Sequence, residues 1–118
     1  MEHDQRTEVL DEYQIIIDPV TNDKMYEHFD FLAQVSVPAA NRLLDELLKD
    51  IESLKTFPYI NPEFNRPYLP QGKYRYKISS KRYRIIYQIE NDFIFVDDIQ
   101  DCRQDEDKSL LFNDDASS

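Results

Sequence analysis

The chain has 118 residues, 41% of them hydrophobic, which suits a single domain around a single packed core. Its formal net charge of −10 argues, taken alone, against a nucleic-acid binder, and its one cysteine, Cys102, excludes an internal disulfide or a multi-cysteine zinc site and fits a reducing compartment. No apolar run is long enough to span a bilayer, and the opening MEHDQRTEVLDEY lacks the apolar stretch of a signal peptide, so a cytoplasmic protein is expected.

Residues 1–12 are polar and acidic and read as a disordered arm. Tyr13 to Asp18 is a short β-branched run closed by Pro19, and its three consecutive isoleucines predict a strand buried on both faces. Thr21, Asn22 and Asp23 are N-cap candidates for a helix whose apolar face is Met25, Phe29, Leu32 and Ala33, ending near Val35–Val37. Ser36 then caps a second helix over Pro38–Lys55, with the proline in its first turn, where a missing N–H costs nothing. Ala40, Leu44, Leu47, Ile51 and Leu54 form its stripe, widened by Leu43 and Leu48; this reads as a face packed on a sheet, with a dimer seam as the alternative. The short connection makes the two helices an antiparallel hairpin.

Residues 58–72 hold four of the six prolines and the only glycine, Gly72. They predict a stiff ordered loop, pinned by Tyr59, Phe64 and Tyr68, that leaves Arg66 near the next strand. Two alternating runs follow, Lys73–Ser79 and Arg82–Glu90, then a turn at Asn91–Asp92 and a closing strand Phe93–Ile99. The alternation sets Tyr74, Tyr76 and Ile78 against Lys73, Arg75 and Lys77, and Tyr83, Ile85, Tyr87 and Ile89 against Arg82, Arg84, Ile86 and Gln88. One aromatic face and one cationic face are expected. The domain is thus residues 13–104, α+β in the order β-α-α-β-β-β, an antiparallel sheet (a meander plus the N-terminal strand) with a helical hairpin on one face. Residues 105–118 form an acidic tail.

Charge is unevenly spread. Residues 1–65 carry 14 acids and 5 bases, residues 66–84 carry 7 bases and no acid, and residues 85–118 carry 10 acids and 2 bases. The basic residues are Arg66, Lys73, Arg75, Lys77, Lys81, Arg82 and Arg84. An acid-free run in this background reads as an anion-binding face, the plainer reading being a strand face that discourages edge pairing. The acidic arm or tail is expected near that face, weakening its hold on an anion, or else serves only solubility. A magnesium site on Glu90, Asp92, Asp97, Asp98 and Asp101 is disfavoured, because neighbours on a strand point to opposite faces. His3 and His28 read as plain surface.

The entry Gly72-Lys73-Tyr74-Arg75, the core Tyr83-Arg84-Ile85-Ile86-Tyr87, the turn Asn91-Asp92 and the closing Asp101-Cys102-Arg103, in that order, resemble the RelE/ParE toxin family of bacterial type II toxin–antitoxin pairs. The resemblance covers roughly residues 13–105. It implies a cognate antitoxin that wraps the toxin with a helical or extended segment, and no metal or other cofactor. In the RelE branch it implies a ribosome-dependent endonuclease, in which the 2′-OH of the messenger attacks the neighbouring phosphate. Such chemistry needs proton transfer and cations that stabilise the phosphorane. On that reading Arg84, Arg103, Lys77 and Tyr87 form the catalytic set, and Lys73, Arg75, Lys81, Arg82 and Arg66 hold the RNA backbone. Gln104 and Asp105 stand where several family nucleases carry His or Tyr. The ParE branch needs no nuclease residues and implies the alternative target, DNA gyrase, bound and not cut; a degenerate member that does not cleave is the other alternative.

Overall fold

A computed structural model describes residues 12–103; the arm up to Asp11 and everything from Gln104 onward, including His3, Asp105 and the acidic tail, lie outside the described residues. The elements are β1 (Gln14–Ile17), α1 (Pro19–Ala33), α2 (Val37–Ser53), a 3-10 turn at Pro58–Ile60, β2 (Tyr74–Ser79), β3 (Tyr83–Glu90) and β4 (Phe93–Asp101). The α+β class and the β-α-α-β-β-β order match the sequence reading. The sheet runs β1-β4-β3-β2 and is mixed, not wholly antiparallel: β2–β3–β4 is the expected meander, but β1 joins β4 in parallel, Gln14 opposite Phe93 through Ile17 opposite Val96. A helical hairpin between β1 and the meander reverses the chain twice, which returns the later strands in that sense.

The first helix begins earlier than Thr21–Asp23 predicts. Asp18 is the N-cap, its side chain accepting from the Val20 N–H at 2.8 Å, and Pro19 starts the first turn. The residue that ends the strand thus also opens the helix. Ser36 caps α2 as expected, accepting from the Ala39 N–H at 3.2 Å. Of the leucine stripe, Ala40, Leu43, Leu47, Ile51 and Leu54 are buried; Leu44 packs at the margin and Leu48 is exposed. The stripe faces the sheet, meeting Tyr83, Ile85, Tyr87, Ile94, Val96 and Ile99 in the main core.

Burial of β1 on both faces is not what the structure shows. Ile15 and Ile17 pack on the core, but Ile16 is 42% exposed, because β1 is a four-residue edge strand with helices over only one side. The three-residue connection from β2 to β3 puts both Ser80 (φ 52°) and Lys81 (φ 64°) in the left-handed region, the conformation of the two central residues of a type I′ turn, and the Arg82 N–H closes it on Ser79 O at 3.2 Å. Gly72, at φ 77°, donates its N–H to Asn65 Oδ1 at 2.8 Å and ends the proline-rich loop. That loop is pinned by Phe64, fully buried, and by backbone bonds Phe64 N–H to Tyr74 O (2.8 Å) and Tyr76 N–H to Pro62 O (3.0 Å). Tyr59 is largely exposed and Tyr68 half-buried, and side chains of the sheet also hold the loop, Tyr87 and Arg75 both bonding to it.

The rotation of α2 is open to test. Leu47→Ala should cost about 2–5 kcal/mol in denaturant unfolding, the range for emptying a closed core site, whereas Leu48→Ala should cost less than about 1 kcal/mol. Equal costs would mean that the helix presents a different face.

Candidate functional site

Directly opposed residues in an antiparallel pair put their side chains on the same face of the sheet. The β2–β3 register sets Tyr74 opposite Gln88, Tyr76 opposite Ile86 and Ile78 opposite Arg84, and alternately Arg75 opposite Tyr87, Lys77 opposite Ile85 and Ser79 opposite Tyr83. The expected division into one aromatic and one cationic face therefore does not hold. The tyrosines of β3 face the helices together with the cations of β2. The tyrosines of β2 share the other, open face with Arg84.

On the open face, Phe64, Tyr74 and Ile86 form a second small core, with Leu69 and Tyr76 packed against it. Two arginines sit on its rings. The Arg84 guanidinium lies 5.3 Å from the Phe64 ring centre and 5.5 Å from that of Tyr76, and Arg66 lies 4.2 Å from Phe64. Contacts of this kind hold a guanidinium flat on a π-face. Arg84 Nη1 donates to Gln100 Oε1 at 2.9 Å, and Arg66 Nη1 donates to the Asn65 carbonyl at 2.8 Å. The structure thus brings together Arg84, from the catalytic set, and Arg66, from the RNA-binding set, with Tyr76 beside them.

The other candidates lie elsewhere. Lys77 sits on the helix side of the edge strand, its Nζ donating to Ser53 Oγ at 2.9 Å and 3.6 Å from Asp50 of α2. Arg75 is turned into the proline-rich loop, donating to the carbonyls of Asn61 (2.6 Å) and Tyr59 (3.3 Å), with Glu63 4.0 Å away. Lys73 lies 5.3 Å from the Tyr74 ring centre at the rim, and Lys81 is exposed in the turn. Arg82 forms a two-pronged bond with Asp101, at 3.1 Å and 2.6 Å. Arg103 is exposed, and its backbone N–H donates to the same carboxylate at 3.0 Å.

Tyr87, the phenol of the candidate catalytic set, lies apart from Arg84. It is fully buried on the helix face, its hydroxyl donating to Pro58 O at 2.5 Å and accepting from Asn61 Nδ2 at 2.9 Å. Burial pushes the phenol above its ordinary pKa, and the Asn61 amide and Arg75 charge offset this only in part. Its work is to tie the loop to the sheet. His28 is also more than surface: its Nε2 lies 3.0 Å from the Ile99 carbonyl and its ring packs edge-on against Tyr83.

A bulge in β4 changes the acids. Tyr87 pairs with Val96 but Ile86 with Asp98, leaving Asp97 as the extra residue. Asp97 Oδ2 accepts from Gln88 and Asp98 Oδ2 from Gln100, so both acids reach open-face partners despite being neighbours. Asp98 also pairs with Lys24 at 2.7 Å, and Asp101 with Arg82. Among the described residues no cluster of three or more His, Cys, Asp or Glu could hold a metal ion. Asp98, Gln100 and Lys24 were not expected in the site; the bulge that admits them has no marker in the sequence beyond the pair Asp97-Asp98 itself.

Asp101 and Asp97 have opposite titration behaviour. Burial raises the Asp101 carboxyl, but the Arg82 guanidinium and the Arg103 N–H outweigh it and hold the pKa below the usual carboxylate value. A depressed folded pKa means stability present above the unfolded pKa and lost as pH falls through the folded one. Asp97 is raised, chiefly by burial, so its protonation favours the folded chain. On acidification below the carboxylate range, Asp101→Asn should therefore flatten part of the fall in melting midpoint; an unaltered slope counts against the pair. Tyr87→Phe should lower stability by about 1–3 kcal/mol through the two abandoned partners, with toxicity in cells unchanged at permissive temperature.

No helix among the described residues is long and apolar enough to cross a membrane. Residues 15–106 match the family model described as the ParE toxin of type II toxin-antitoxin system, parDE. A comparison with curated proteins finds no match.

Proposed function

From a chain that belongs to the ParE toxin family of type II toxin–antitoxin systems, and whose partner is accordingly an antitoxin, we propose a toxin that engages ribosome-bound messenger RNA through the open face of its sheet and cleaves it without a metal. The observation that carries this reading is the placement of Arg84 and Arg66 on the Phe64 ring, beside Tyr76. Two guanidinium groups at one aromatic platform suit a phosphate with an unstacked base next to it, since the fork pairs phosphate oxygens while the ring planes accept a base. Arg84 would take the charge that builds on the phosphorane when the 2′-OH attacks. Tyr76 shares this face, so a phenol is present near Arg84 even though Tyr87 is enclosed on the other side.

A second reading, inhibition of DNA gyrase by binding, is favoured by one observation. Lys77 and Tyr87 are held on the helix side, away from Arg84, so the four-residue catalytic set does not assemble among the described residues. A toxin that only binds needs no such assembly. In both readings the antitoxin has a place to dock that fits an extended segment: the outer edge of β1 is unpaired among the described residues, and a cleft beside it is lined by Tyr13, Ile15, Leu48 and Ile51.

Purified protein in a translation reaction separates the two. Cleavage of ribosome-bound message at fixed codon positions is the expected result, and Arg84→Ala should reduce its rate by about 100-fold or more, the scale of losing a charge-stabilising donor. Intact message together with blocked DNA supercoiling would replace this reading with the second.

A further inference from the structure

Cutting an RNA strand takes more than a cation at the phosphate: the departing oxygen also needs a proton. Tyr87 and His28 are turned to the helix side, the first enclosed by Pro58 and Asn61 and the second set against the Ile99 carbonyl and the Tyr83 ring. On the open face β2 carries two phenols, Tyr74 and Tyr76. Tyr74 belongs to the small core, and burial pushes its hydroxyl above the ordinary phenol value.

Tyr76 is placed differently. The strand is paired on both sides at this point, with β3 at Ile86 and with the proline-rich loop through the Tyr76 N–H bond to Pro62 O at 3.0 Å. The ring meets Phe64 edge-on, 6.1 Å between centres at 77°, and the Arg84 guanidinium lies 5.5 Å from the ring centre. The side chain is thereby half-buried, yet its hydroxyl is not enclosed, and no group among the described residues bonds it. A tyrosine held in this way ordinarily has a partner for its O–H. Here the ring is fixed and the hydroxyl is left for a ligand. Next to a guanidinium, that ligand is a phosphate ester, with the fork on its outer oxygens and the hydroxyl on an ester oxygen.

We propose that Tyr76 is the general acid of the cleavage, giving its hydroxyl proton to the 5′-oxygen that leaves the phosphate. This rests on the reading of the open face as a metal-independent nuclease site. In the step, the 2′-oxygen bonds to phosphorus while its own proton passes to solvent. The bond from phosphorus to the 5′-oxygen breaks, and the Tyr76 proton goes to that oxygen. The products are a 2′,3′-cyclic phosphate and a 5′-hydroxyl, and the Tyr76 phenolate regains a proton from water.

The experiment compares the full chain with Tyr76→Phe, which keeps the ring and removes only the hydroxyl, on ribosomes loaded with two messages. One is ordinary; the other carries sulfur in place of the leaving 5′-oxygen at the cut position, and a thiolate departs without a proton. On the ordinary message Tyr76→Phe should cut about 100-fold more slowly than the wild type, the scale of a positioned proton donor. On the sulfur message the two should agree within about threefold, because the proton is no longer needed. Equal cutting of the ordinary message by both proteins overturns the proposal. So does the same loss on both messages, which is what a stacking or structural role gives. Should Tyr76→Phe show no cooperative melting transition, Tyr76→Leu is read in the same way, by the ratio of its losses on the two messages. If the wild type leaves the ordinary message intact, the nuclease reading itself falls, and the role of Tyr76 with it; if the wild type cuts and only the Tyr76 outcome fails, that reading stands.

Discussion

The pairing of β2 with β3 decides what each side chain of the basic segment can do. With Tyr76 opposite Ile86 and Lys77 opposite Ile85, the strands offer the helices Arg75, Lys77, Tyr83, Ile85 and Tyr87, and offer the open side Tyr74, Tyr76, Arg84 and Ile86. A slip of one residue would exchange these sets. The positive-φ turn at Ser80 and Lys81 and the burial of Tyr83, Ile85 and Tyr87 against the helices fix it. Arg84 therefore takes the open face because its neighbours in sequence are core residues, and Lys77 takes the helix side for the same reason.

Ion pairing then sorts the cations that the register has divided. Arg82 and Lys24 meet buried carboxylates, and Lys77 and Arg75 meet the second helix and the loop. The open-face platform keeps Arg84 and Arg66 against aromatic rings. Acids and bases are thus unevenly spread along the sequence, and several of the acids are matched internally.

Much of the architecture could be read from local pattern. Ser36 and Pro38 announced the second helix, its leucines announced the face, and the alternation from Lys73 to Glu90 announced a hairpin. What could not be read were facts about pairs of segments. Alternation says which residues share a side within a strand, but not which side of one strand joins which side of the next; so Tyr76 and Tyr87 were put together when they lie on opposite faces. The parallel partner of β1 and the exposure of Ile16 depend in the same way on a strand far along the chain. Arg84 and Arg66 stood out as candidates by residue type, whereas the contacts of Gln100 and Asp98 depend on a bulge whose effect on side-chain direction no local pattern records.

The parallel pairing of β1 with β4 also bears on how the chain comes into being. During synthesis the first strand emerges with no partner, and the segment it must join is the last strand of the domain. The helical hairpin and the β2–β3 hairpin can form from neighbours, but closing the sheet at β1 requires a loop that spans most of the chain, and such contacts form slowly. Until then Ile15, Ile16 and Ile17 present an open β-edge. The same order of events means that the hydrogen bond from Arg84 to Gln100, near the end of β4, forms only when nearly the whole domain has been made, so a nascent or truncated chain would carry the arginine without that partner.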